Sequence, residues 1–145
     1  MCKLINENKN MFMELTPLSR NDFGIMCAVK LKTEVLCLDF EKVNETDRYM
    51  SYENINHIKR ELIKLENLDD FPEEELIISI YPIDMFFTMD VFKTNDNLLF
   101  IELRFPIGVY TNSKTTGYDF GLDFSVKKND FKLFLKKFID SCQNI

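Results

Sequence analysis

From Gly117 to Lys127 the chain reads GYDFGLDFSVK and alternates without a break. Tyr118, Phe120, Leu122, Phe124 and Val126 fall on one side. Gly117, Asp119, Gly121, Asp123, Ser125 and Lys127 fall on the other. A period of two is that of a β-strand with one dry and one wet face. The segment runs straight into a pattern of a different period. Phe131, Phe134, Leu135, Phe138, Ile139 and Cys142 form one stripe on a helix from Asp130 to Cys142, which Asn129 would cap. Neither a one-faced strand nor a one-striped helix buries its apolar side alone. Each needs a second layer, so the chain must place helices against a sheet.

The other segments supply that sheet. Residues 11–15 (MFMEL) are a candidate first strand, followed by the loop TPLSRND. Phe23, Ile25, Cys27, Val29 and Leu31 alternate with polar or small residues, and TEVLCLDFEKV alternates after them. A tight turn at Lys32-Thr33 would pair Leu31 with Glu34, Val29 with Leu36 and Cys27 with Leu38. That register puts Phe23, Ile25, Val29, Leu36, Leu38 and Phe40 on one face. A helix follows over 51–68. Ser51 is a sound N-cap, Met50 and Ile55 take the hydrophobic-staple positions, and Ile55, Ile58, Leu62 and Leu65 make a narrow stripe. Three further strands, 74–81, 86–93 and 98–105, read as an antiparallel meander. They would bury Leu76, Ile78 and Ile80, then Phe87, Met89 and Val91, then Leu99, Ile101, Leu103 and Phe105. The stretch 106–116 has no pattern and reads as a mobile surface loop. Strands that follow one another without intervening helices give an antiparallel sheet. The expectation is an α+β fold in a single domain, 1–145, with six to seven strands in one sheet and two helices on it.

The chain has 145 residues and a net charge of −6. That balance argues against general nucleic-acid binding, which needs Lys and Arg opposite phosphates. No apolar run approaches the ~18 residues of a membrane span. The opening MCKLINENKN has no apolar signal-peptide core, so a cytoplasmic location is expected. Cys2, Cys27, Cys37 and Cys142 form no CxxC pair and read as reduced thiols.

Motifs for catalysis are missing. His57 is the one histidine, placed on the exposed side of the first helix, and no HExxH, GxSxG or Gly-rich phosphate loop occurs. No cofactor or metal site is indicated. Asp119 and Asp123 share a strand face, but four residues of strand set their Cα atoms roughly 13 Å apart, too far for a glycosidase pair. Glu102 could approach one of them across strands. The carboxylates of that face are therefore either a solvated surface or a contact surface.

The acidic charge is concentrated. Residues 34–75 hold 13 acids and 5 bases, a net of −8, whereas 126–145 hold 5 Lys and 2 Asp. Its sharpest part is Asp69, Asp70, Glu73, Glu74 and Glu75. Such a lobe can steer a basic partner. Phe86, Phe92 and Phe100 fall opposite the main apolar set, on a face covered either by the fold or by a partner.

The segments GYDFGLDFSVKKNDFKLFLKKFID and SYENINHIKRELIKLENL, in the order of hairpin, acidic loop, helix, meander and closing aromatic helix, resemble the WapI family of toxin-immunity proteins. In that family a strand of this form leads directly into the final helix. LIISIYPIDMFF is similar to its "l.f.EP.L.f" stretch, with Tyr81-Pro82-Ile83 in place of Glu-Pro. The family's tryptophan-containing second strand has no counterpart, since the chain has no Trp. The resemblance spans about residues 20–142. It implies a small cytosolic protein that neutralises a polymorphic toxin by binding it, and it brings no catalytic residues. The expectation is a non-catalytic immunity protein whose acidic surface occludes a basic toxin domain, with neither nucleic acid nor membrane as partner. Asp69, Asp70, Glu73, Glu74, Glu75, Glu102, Asp119 and Asp123 are its candidate contact residues. Two other classes stay open. One is an enzyme or small-ligand binder using the Glu102, Asp119 and Asp123 face. The other is a structural subunit joined through Phe86, Phe92 and Phe100.

Overall fold

A computed structural model describes residues 2–39, 48–84, 86–106 and 119–145. The fold is α+β, with nine strands in two antiparallel sheets and two α-helices among the described residues. The first sheet holds β1 (Cys2–Ile5), β2 (Phe12–Arg20), β3 (Gly24–Lys32) and β4 (Cys37–Asp39) in that order, and β5 (Tyr49–Ser51) also pairs with β3. β3 is long enough to take two partners on one side, β4 along Lys30–Lys32 and β5 along Gly24–Met26. Gly24 makes the second pairing possible, because a Cβ there would collide with the Met50 carbonyl. The second sheet is the meander β6 (Leu76–Ile80), β7 (Thr88–Asn95), β8 (Leu98–Pro106) and β9 (Asp119–Lys127). The expected single sheet of six to seven strands is thus corrected to two sheets. A helix, α1 (Tyr52–Glu66), and the acidic segment after it separate β5 from β6, and the meander strands pair among themselves instead of extending the first sheet.

Helix α1 (Tyr52–Glu66) starts where a capping box holds it. Ser51 Oγ accepts from the Asn54 N–H at 3.1 Å, and Asn54 Oδ1 accepts from the Ser51 N–H at 2.9 Å. Met50 and Ile55 are both buried, as a staple requires. Helix α2 (Lys128–Gln143) buries all six residues of its predicted stripe. It begins earlier than expected, at Lys128, with Lys127 in the N-cap position and no side-chain cap, so Asn129 is not the cap. The Lys128 N–H instead donates to the Asn97 carbonyl of the β7–β8 turn at 2.9 Å. One contiguous cluster of buried apolar side chains joins both sheets and both helices.

Several local expectations fail for identifiable reasons. The β3–β4 pairing sets Leu31 opposite Leu38, not Glu34. Thr33 explains the longer connection: its hydroxyl accepts from the Leu36 N–H at 3.1 Å and its own N–H donates to the Leu36 carbonyl at 2.8 Å. Phe23 lies in the turn before β3 and is 81% exposed. Phe40 lies outside the described residues. The supposed loop TPLSRND is strand as far as Arg20, with the register shifting between Pro17 and Ser19, where a ladder without the proline N–H can bulge. A second irregularity between Leu76 and Ile78 leaves Leu76 exposed and buries Ile77 beside Ile78. The loop expected over 106–116 lies, apart from Pro106, outside the described residues.

All four cysteines are free; Cys2, Cys27 and Cys142 are buried and Cys37 is exposed. Burial pushes the Cys27 thiol up, and burial with the neighbouring Cys2 thiol pushes Cys142 up to about 12. Burial thus favours the protonated thiol at Cys27 and Cys142.

Candidate functional site

The outward face of the second sheet is built by the alternation of three strands. On β8, Leu99, Ile101, Leu103 and Phe105 are buried, which leaves Phe100, Glu102 and Arg104 on the other face. The register then sets Asp90 of β7 and Asp123 of β9 directly opposite Glu102. Three carboxylates therefore lie in one row across the sheet. Like charges opposite one another destabilise a sheet unless something compensates. Two compensations are present. Asp90 Oδ1 accepts from Ser79 Oγ and from the Tyr81 hydroxyl, each at 2.7 Å. Asp123 Oδ1 accepts from Arg104 Nη1 at 2.6 Å. Arg104 reaches it by lying flat over Gly121, where a Cβ would stand 2.9 Å from the Arg104 Cδ. The Asp123 carboxylate in turn holds the Arg104 guanidinium above its ordinary pKa.

Next to this row sits an aromatic pair. Phe92 of β7 is directly opposite Phe100 of β8, and both are half-buried. A groove of about 420 Å³ opens over them, with Glu73, Glu74 and Glu102 at its sides. Glu73 and Glu74 come from the acidic segment before β6, so two sequence-distant acidic groups meet here. The main chain fixes that segment. The Glu74 N–H donates to the Lys93 carbonyl at 2.7 Å, and the Lys93 N–H to the Glu75 carbonyl at 3.0 Å. Lys93 itself is buried, and its ammonium donates to the Phe71 carbonyl at 2.7 Å and pairs with Asp96 at 3.1 Å. Glu74 adopts a positive φ of 66°, a backbone state that non-glycine residues visit at a cost.

The eight expected contact residues divide accordingly. Glu73, Glu74 and Glu102 share the groove, and Asp123 adjoins it through its pairing with Glu102. Glu75 is exposed and adjacent in the chain. Asp69 and Asp70 are exposed on a short 3₁₀ turn after α1. The Asp119 backbone pairs opposite Pro106 at the far end of β9, and its side chain lies outside the described residues. Sequence reasoning missed Asp90, Ser79, Tyr81 and Arg104. Asp90 was visible in the alternation with Thr88 and Phe92, but only the cross-strand register places it beside Glu102. Phe86 does not belong to this face. It is fully buried, because it precedes the start of β7 and packs edge-on against Phe87 at 5.0 Å.

His57 is half-exposed rather than free on the surface. Its Nε2 lies 2.9 Å from the Ser79 carbonyl, and Glu61 lies 3.8 Å from its Nδ1. It ties α1 to β6. Among the described residues no group of three or more His, Cys, Asp or Glu is placed to hold a metal ion. No described helix is long and apolar enough to cross a membrane. No protein-family model, curated protein or solved structure matches the chain.

Proposed function

We propose that this chain is a non-catalytic immunity-type protein that neutralises a toxin by binding it through the acidic face of its second sheet. The observation that carries this reading is the meeting of Glu73, Glu74 and Glu102 around the Phe92 and Phe100 pair. Carboxylates draw a basic surface in from a distance and orient it. Half-buried aromatic rings offer apolar area and a π-face on which a partner's Arg or Lys can settle. Attraction, register and an apolar anchor are the parts a protein interface needs, and none of them requires bond chemistry.

The partner that fits is a basic domain, and a toxin acting on nucleic acid has that charge by necessity. Occlusion then needs nothing more than an acidic surface competing for the lysines and arginines that would meet phosphate. The pattern resemblance to WapI-type immunity proteins and a cytoplasmic site of action are part of the same proposal. Reversing Glu73, Glu74 and Glu102 to Lys and measuring association with the cognate toxin domain tests it.

A further inference from the structure

A second cavity lies on the other sheet and has the opposite chemistry. It is a groove of about 820 Å³ between the β1–β2 turn and α2, within the size range of small-molecule sites. Its floor is apolar. Ile5 of β1 faces Phe12 of β2 across the strands, and Leu133 of α2 lies alongside. Ile5 is 42% exposed and Leu133 51%, so this aliphatic surface is open in the chain as it stands.

The rim is cationic. Lys3, Lys9, Lys32, Lys127 and Lys137 line the groove, against Glu7, Glu34 and Asp130. None of the five lysines forms an ion pair with a described residue, in contrast to Lys64, Lys93 and Lys132 elsewhere. The Lys3 ammonium sits 4.2 Å from the Phe12 ring centroid, at the boundary between rim and floor. A net positive groove in a chain of net charge −6 runs against the rest of the surface.

The wall is fixed in place. Asn6 Oδ1 accepts from the Asn10 and Met11 N–H groups at 3.0 and 3.1 Å, and the Glu7 N–H donates to the Ser125 carbonyl of β9 at 2.7 Å. Lys9 is held at φ 58°, which turns the chain sharply at the rim. A site built this way loses little freedom on binding.

We propose that this groove binds a single-chain amphiphile with a carboxylate head, the chain lying over Ile5, Phe12 and Leu133 and the head among the lysines. Charge complementarity sets the sign of the head group, and the apolar floor sets the body. The groove shares no lining residue with the acidic one and carries the opposite charge.

Calorimetric titration of the full chain with decanoate, octanoate and decyltrimethylammonium, all below micelle formation, tests the assignment. Decanoate is expected to bind about fifteenfold more tightly than octanoate, since each of its two additional methylenes, when buried, strengthens binding roughly fourfold. The cation is expected not to bind. Lys3→Glu with Lys137→Glu should weaken decanoate at least about tenfold, and Leu133→Asp, at a half-exposed site, should do the same with an unchanged circular dichroism spectrum. Equal affinity for octanoate and decanoate, equal affinity for the cation, or unaltered binding by the variants would each overturn it. So would tighter binding of a glutamate-rich peptide, which would make the groove a site for an acidic protein segment.

Discussion

Glu102 of β8 stands directly opposite Asp123 of β9, and the strand between Glu102 and the Phe92–Phe100 pair is a single step of the alternation. Two acids in one cross-strand pair are a cost that the fold tolerates by bringing Arg104 onto Asp123. The guanidinium engages Asp123, and Glu102 remains turned to the groove with Glu73 and Glu74. Arg104 thus makes the acid row compatible with a stable sheet while leaving the groove itself negative.

The hydroxyl of Tyr81 donates to Asp90, which raises the phenol's pKa above its ordinary value near 10, with partial burial as a further cause. A group that holds its proton more tightly when folded adds stability below the unfolded pKa and loses that contribution as pH rises through the folded one. A spectrophotometric titration of the tyrosines should therefore contain one component that ionises late. Asp90→Asn should bring it back toward the ordinary range, and Tyr81→Phe should delete it. A titration identical in the wild type and Asp90→Asn would mean that this hydrogen bond is not formed.

Phe138 is fully buried on the face of α2 that meets the core. Phe138→Ala should cost about 3–5 kcal/mol of unfolding free energy, from lost transfer energy and the cavity left behind. The measurement is the urea midpoint with unchanged m-value. A loss below about 1 kcal/mol would place the helix in a different rotation.

Lys93 fastens the acidic segment to β7 through the Phe71 carbonyl. Lys93→Met keeps the apolar stem and removes the ammonium. Amide exchange over Phe71–Glu75 is expected to accelerate at least about tenfold while the amides of β8 keep their protection. Association with the partner should slow in parallel, because Glu73 and Glu74 would no longer be held at the groove. Unaltered exchange in that segment would show that the backbone bonds of Glu74 and Glu75 suffice.

Much of this fold is legible in the sequence, and what is not has specific causes. The strict alternation of 98–105 and the stripe from Phe131 to Cys142 are read correctly because side chains there face either the core or water. The cap at Ser51 is legible because a short polar side chain precedes a stripe with staple residues on both sides. Short strands such as β1 and β5 carry too few residues for a period to emerge. Registers escape a single sequence because they depend on connections. Thr33 lengthens one turn, and bulges at Pro17 and after Leu76 re-aim others. The same limit governs the site. Glu73, Glu74 and Glu102 are conspicuous as acids, but only the pairing of β7 with β8 puts Phe92 and Phe100 between them.

The central claim is that charge at this groove captures a basic partner. Surface-plasmon kinetics against the cognate toxin domain, at low and high salt, measure it most directly. Wild-type association should slow steeply as salt rises, because steering acts through screened long-range charge. Glu73→Lys with Glu74→Lys and Glu102→Lys should lower the on-rate by about tenfold or more at low salt and flatten its salt dependence, and Phe100→Ala should mainly raise the off-rate. On-rates within about twofold of wild type at both salt concentrations, with no change in off-rate for Phe100→Ala, would contradict the account.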